Sequence, residues 1–81
     1  MIFVTLLLPK GKGCEAIKSL KELKAPKGIT IRDLYFTFGR CDGVLIFEAE
    51  NVQVAMNFVM QVGLETHYTV ETLVAIPVRE I

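Results

Sequence analysis

The segment from Leu34 to Ala49 constrains this chain more than any other. Leu34-Tyr35-Phe36-Thr37-Phe38 and Val44-Leu45-Ile46-Phe47-Glu48-Ala49 are rich in β-branched and aromatic residues, and Gly39-Arg40-Cys41-Asp42-Gly43 lies between them. Two such runs around a glycine-bracketed link predict an antiparallel hairpin with a four-residue connection. A tight connection needs a residue in the left-handed region, so Gly39 or Gly43 is expected at positive φ. Everything else in the chain has to fit around this pair of strands.

Before the hairpin, Ile2 to Leu8 is an almost unbroken apolar run of strand length, closed by Pro9. A loop, Lys10 to Gly13, leads to a predicted helix from Cys14 to Lys24, with Ala16, Ile17, Leu20 and Leu23 on one stripe. Ala25-Pro26-Lys27-Gly28 ends it. The second strand is predicted over Ile29 to Phe38, with a bulge where Asp33 interrupts the alternation. The third strand runs from Gly43 to Ala49. Asn51 is the predicted N-cap of a second helix whose core face is Ala55, Phe58, Val59 and Val62, with Gly63 as its stop and Met56 and Met60 packing beside the stripe. The last strand is predicted over Tyr68 to Val78.

This β-α-β-β-α-β order, with right-handed crossovers, predicts one α+β domain over residues 1–81 of ferredoxin-like type: a four-stranded antiparallel sheet, order 4-1-3-2, with both helices on one face. Alternation assigns Val4, Leu6, Leu8, Leu34, Phe36, Phe38, Leu45, Phe47, Val70, Val74 and Ile76 to the helix side. The other face is then expected to hold Phe3, Thr5, Leu7, Tyr35, Thr37, Val44, Ile46, Glu48, Glu71, Leu73 and Ala75. Six of those eleven are plain hydrocarbon or Phe, too many for a face left to water. A homodimer is expected, with Phe3, Leu7, Val44, Ile46 and Leu73 at the interface, and higher assembly is open.

Composition agrees, because 52% of only 81 residues are apolar and a chain this short has little interior to hide them in. Nine basic and nine acidic side chains cancel, which argues against general affinity for nucleic acid or anionic membrane. Residues 1–40 carry eight Lys or Arg against three acids, and residues 41–81 one against six, an asymmetry that a compact fold would interleave. The N-terminal run lacks the basic flank and cleavage site of a signal peptide, so a cytoplasmic location is expected.

The hairpin also carries a resemblance. Gly39 and Asp42 with Arg40 and Cys41 between them, then Glu48-Ala49, and Glu71-Thr72-Leu73-x-Ala75 in the last strand, resemble the motifs of the GYD-domain family. Cys41 stands where that family usually has tyrosine, and Val70 replaces a threonine. The resemblance implies a dimeric α+β barrel, an architecture similar to stand-alone effector domains of Lrp/AsnC-type regulators and to small monooxygenases. It implies no reaction.

Candidate chemistry is sparse. Gly11-Lys12-Gly13 before a helix has the makings of an anion loop without a P-loop pattern. Cys14 in a first helical turn among lysines has the setting of a reactive thiol, against the plainer reading of a half-buried cysteine. His67, the single histidine, has no partners in metal or triad spacing. Neither metal nor cofactor is indicated. Thr5, Tyr35, Thr37, Glu48 and Glu71, on the face expected to be covered, are the candidate ligand-binding set, since carboxylates buried at an interface need partners. The function expected is a binding or regulatory module with a small ligand near the dimer interface, the alternatives being a monooxygenase-like enzyme or a structural subunit.

Overall fold

The computed structural model describes residues 1–9, 20–66 and 68–81. Strand β1 (Ile2–Leu8), β2 (Ile29–Phe36), β3 (Gly43–Ala49) and β4 (Thr69–Ala75) form one antiparallel sheet in the order β2-β3-β1-β4, which is 4-1-3-2 counted from the other edge. Helix α1 (Val52–Thr66) connects β3 to β4, and a short 3-10 turn, Val78–Glu80, follows β4. Of the helix predicted between β1 and β2, Leu20 and Lys21 are helical, short of the expected Lys24, and residues 10–19 lie outside those described. The loop Lys10–Gly13, Cys14 and His67 fall outside them too.

Local rules account for the ends. Pro26-Lys27-Gly28-Ile29 is a turn closed by the Ile29 N–H on the Pro26 carbonyl at 3.2 Å, with Gly28 at φ +90, the conformation its third position requires. The hairpin closes where the Thr37 N–H donates to the Asp42 carbonyl at 3.0 Å, leaving Phe38 to Cys41 as the connection, and Gly39 takes the expected positive φ of 138. The register between β2 and β3 shifts between Ile31 and Asp33, the predicted bulge. Asn51 caps α1 by accepting the Val54 N–H on Oδ1 at 2.9 Å.

Two expectations are corrected at the helix. It continues past Gly63 to Thr66, whose hydroxyl donates to the Val62 carbonyl at 2.6 Å and accepts the Tyr68 N–H at 3.3 Å. That side chain supplies the termination assigned to glycine. Met56 and Met60 are exposed rather than packed, while Ala55, Phe58, Val59 and Val62 are buried as expected.

The largest correction concerns which way β1 faces. Phe3, Thr5 and Leu7 point into the helix-side core, so Val4, Leu6 and Leu8 occupy the other face. Direct partners in an antiparallel ladder share a face, and Phe3 is opposite Phe47, Thr5 opposite Leu45, and Leu7 opposite Gly43. Phe3 stacks on Phe47 with centroids 5.3 Å apart, and Phe58 of α1 meets Phe47 edge-on at 4.9 Å. Both phases of β1 are apolar, so alternation alone has no power to choose between them. The aromatic column does.

Gly43 and Gly63 make opposite predictions. A Cβ on Gly43 would sit 3.1 Å from Leu7 Cδ1 and 3.3 Å from the Tyr35 carbonyl oxygen, so Gly43→Ala should destabilise by about 1–3 kcal/mol. One on Gly63 meets nothing nearer than 3.7 Å inside a helix, so Gly63→Ala should stabilise by about 1 kcal/mol. Urea titrations of the two variants check both signs.

Candidate functional site

With β1 reversed, the register builds an outer sheet face in rows. Thr30, Glu48, Ile2 and Ala75 form one row; Asp33, Ile46, Val4 and Leu73 the next; Tyr35, Val44, Leu6 and Glu71 the third; Leu8 and Thr69 begin a fourth. Ile2, Val4, Leu6, Leu8, Val44 and Ile46 are half-buried, and Tyr35 and Leu73 are exposed. The hydrocarbon is continuous across the centre. Acids stand at its margins, where Glu48 meets Arg32 Nε at 3.5 Å in a half-exposed ion pair of little strength.

The candidate ligand set is thereby divided. Thr5 lies in the core, its hydroxyl 2.9 Å from that of Thr72. Thr37 belongs to the hairpin, donating to the Cys41 carbonyl at 2.6 Å with the Cys41 sulfur 3.6 Å away. Tyr35, Glu48 and Glu71 are on the outer face, but two strands and two rows separate the carboxylates, about 16 Å by strand and residue spacing. They do not form a pair. Of the residues expected at an interface, Val44, Ile46 and Leu73 are on this face, while Phe3 and Leu7 are core.

A second feature lies at the hairpin end of the sheet. The Asp42 N–H donates to the Leu7 carbonyl at 2.8 Å, folding the hairpin over the end of β1. Beside it Tyr68 is buried, 2% exposed, and its hydroxyl has no hydrogen-bond partner among the described residues. Burial raises the phenol above its usual 10.0, and the Asp42 carboxylate adds to this as a neighbouring negative charge that also favours the protonated form. Thr37, Cys41, Asp42 and Tyr68 thus converge, whereas Gly39 and Arg40 stay exposed at the tip. Tyr68 was absent from the sequence-derived set. The available signal was a tyrosine opening the last strand, whose ring suits the core while its hydroxyl needs a partner.

A cleft of about 680 Å³ runs between the segment Glu22–Lys27 and α1, floored by Leu23, Ile29, Val54, Phe58 and Val62 and rimmed by Lys24, Lys27, Asn57 and Gln61. It is on the helix side, away from the outer face. Among the described residues, no cluster of His, Cys, Asp and Glu has the spacing of a metal site, and no helix is long and apolar enough to cross a membrane.

A sequence model of the GYD domain matches residues 10–81, covering the hairpin, α1 and β4. No curated protein and no solved structure matches the chain.

The buried hydroxyl makes Tyr68→Phe informative. At neutral pH the substitution should change stability by no more than about 1 kcal/mol, because among the described residues the hydroxyl's polar neighbour, the Asp42 carboxylate, stands outside direct hydrogen-bond geometry. Since the folded-state pKa exceeds the unfolded value, the stability Tyr68 contributes is complete below pH 10.0 and is lost as pH rises from there through the folded-state pKa. Denaturant midpoints across the alkaline range should therefore fall more steeply for the parent chain than for Tyr68→Phe.

Proposed function

Because the chain belongs to the GYD-domain family, we propose that it is a homodimeric binding or regulatory module of ferredoxin-like, dimeric α+β barrel type. The outer sheet face carries this reading. Four strands of about seven residues present roughly 19 by 24 Å, about 450 Å² per copy in projection, most of it hydrocarbon. A second copy is the occupant that fits, since two such faces together reach about the 1,000 Å² expected of a specific interface. Isologous pairing also sets the apolar centre on itself and leaves Glu48, Asp33 and Glu71 toward the rim.

The two-helix form of the fold is supported by topology. β1 and β2 both run antiparallel to β3 and so are parallel to each other, which requires a crossover between them. Leu20, helical and buried with Phe58 and Val62 in one core, supports a second helix on the same side as α1.

The 680 Å³ cleft, apolar at its floor and polar at its rim, is where a small molecule would bind. The carboxylates Glu48 and Glu71 are too far apart to share a proton, so this reading gives them no joint catalytic role.

Ile46→Lys tests the pairing, because it would bury an unpaired charge at the centre of the interface. Light scattering should give twice 9.1 kDa for the parent chain, and a monomer or a precipitate for Ile46→Lys. Gln53→Lys, on the exposed face of α1, should remain dimeric. A parent chain of 9.1 kDa at micromolar concentration overturns the proposal.

A further inference from the structure

The 680 Å³ cleft has its charges sorted along its length. One wall is α1, which starts beside the Ala49 end of the sheet and finishes over β4, where a Cβ on Gly63 would stand 3.7 Å from both Val70 and the Tyr68 carbonyl oxygen. The other wall, Glu22–Lys27, runs the opposite way. Leu20, just before it, lies 3.4 Å from the Cβ position of Gly43, in the row of Leu7 and Val70. Just after it, the Cβ position of Gly28 stands 3.5 Å from Val54 in the first turn of α1. Antiparallel walls therefore put Glu22 at the same end as Glu65, and Lys27 at the other end with Val54 and Asn57. Hydrocarbon from Leu23, Phe58 and Val62 lies between.

The helix adds to this polarity. Its N-terminus, the positive end of the dipole, is at the lysine end of the cleft, and its C-terminus is at the acidic end. The first turn has no acid and the last has no base to offset them. Lys27 and Glu65 each stand at the helix end that disfavours their charge, a placement that folding alone does not reward. Among the described residues Glu22, Lys27 and Glu65 make no ion pair, and Lys21 and Glu50, the neighbours of opposite sign in sequence, are not part of the lining. A ligand of reversed polarity would relieve both ends.

Resting on the reading of this cleft as the small-molecule site, we infer that its occupant is an elongated zwitterion with an apolar body, its anionic group at Lys27 and its cationic group at Glu22 and Glu65. From Val54 to Glu65 the helix rises about 16 Å. An extended tetrapeptide spans about 14 Å, so a short apolar peptide with free termini has the required length as well as the charges. Gln53 Nε2 donates to Asn57 Oδ1 and Gln61 Nε2 to Glu65 Oε1, which leaves the Asn57 amide nitrogen and the Gln61 amide oxygen to pair with a peptide backbone. A fatty acid would answer the lysine end alone, and an apolar amine only the acidic end.

Amide-shift titration of the isotope-labelled full chain tests this with a tetrapeptide of alternating alanine and leucine, its N-acetylated form, its C-amidated form and the form blocked at both ends. The free peptide should shift α1 and the segment 22–27, and each blocking group should weaken binding about two- to five-fold, the worth of one exposed ion pair. Glu65→Gln should weaken the free peptide by the same factor and leave the acetylated one unchanged. Lys27→Gln should weaken the free peptide and leave the amidated one unchanged. Both substitutions change exposed side chains, so the fold is retained. A doubly blocked peptide that binds in the cleft as tightly as the free one overturns the zwitterion while the cleft remains the binding site. Shifts confined to other surfaces, or none with any of the four, overturn the cleft reading along with it.

Discussion

The contact on which the rest of the structure depends is the aromatic column Phe3–Phe47–Phe58. It joins the two central strands to α1, and by doing so decides which half of β1 is interior. A one-residue slip in pairing would exchange the two faces of β1, as it does for any strand with a period of two. Such a slip costs little in hydrophobicity here, since Ile2, Val4, Leu6 and Leu8 are as apolar as Phe3 and Leu7. What it loses is shape. Phe3 needs the ring of Phe47 beside it, and Leu7 needs the space that Gly43 leaves by having no side chain. Register in this sheet is therefore specified by volume and aromatic geometry more than by polarity.

That distinction explains what was legible in the sequence. The bounds of β1 and β3, the bulge before Asp33, the positive φ at Gly39, the Asn51 cap and the core stripe of α1 all follow from local chemistry: turn residues, cap residues and a helical period. The orientation of β1 is a tertiary fact, and a strand apolar on both faces carries no local record of it. The helix end was misplaced at Gly63 because a glycine within three residues of a capping threonine gives two stop signals, and the hydroxyl of Thr66 prevails. Tyr68 was missed as a site residue because its neighbour Asp42 is 26 positions away in sequence and meets it only through the hairpin's fold over β1.

Correcting β1 strengthens the argument for assembly. The expected outer face included the hydroxyl of Thr5; the observed one exchanges Phe3, Thr5 and Leu7 for Ile2, Val4, Leu6 and Leu8, all hydrocarbon. Thr5 itself is satisfied inside by Thr72, so the polar group moved to where a partner exists. The same exchange weakens any reading of that face as a catalytic surface, for it leaves its two glutamates separated and one of them beside Arg32.

Stability and the proposed assembly therefore draw on the same sheet from opposite sides. A domain of 81 residues has little interior, and among the described residues its large buried side chains meet between the inner sheet face and the elements packed on it. Covering the outer face removes further hydrocarbon from water at roughly 25 cal/mol per Å², which for two faces of about 450 Å² is on the order of 20 kcal/mol before the costs of association and ordering. That gross term exceeds the whole net stability of a typical domain, about 5–15 kcal/mol. In the proposed homodimer the cover of this face sets the stability of the chain as well as its quaternary state, and a substitution at Ile46 or Val4 acts on folding and pairing together. The corner at Asp42 stands apart from that coupling, because the Thr37–Asp42 and Asp42–Leu7 backbone hydrogen bonds anchor it within one chain.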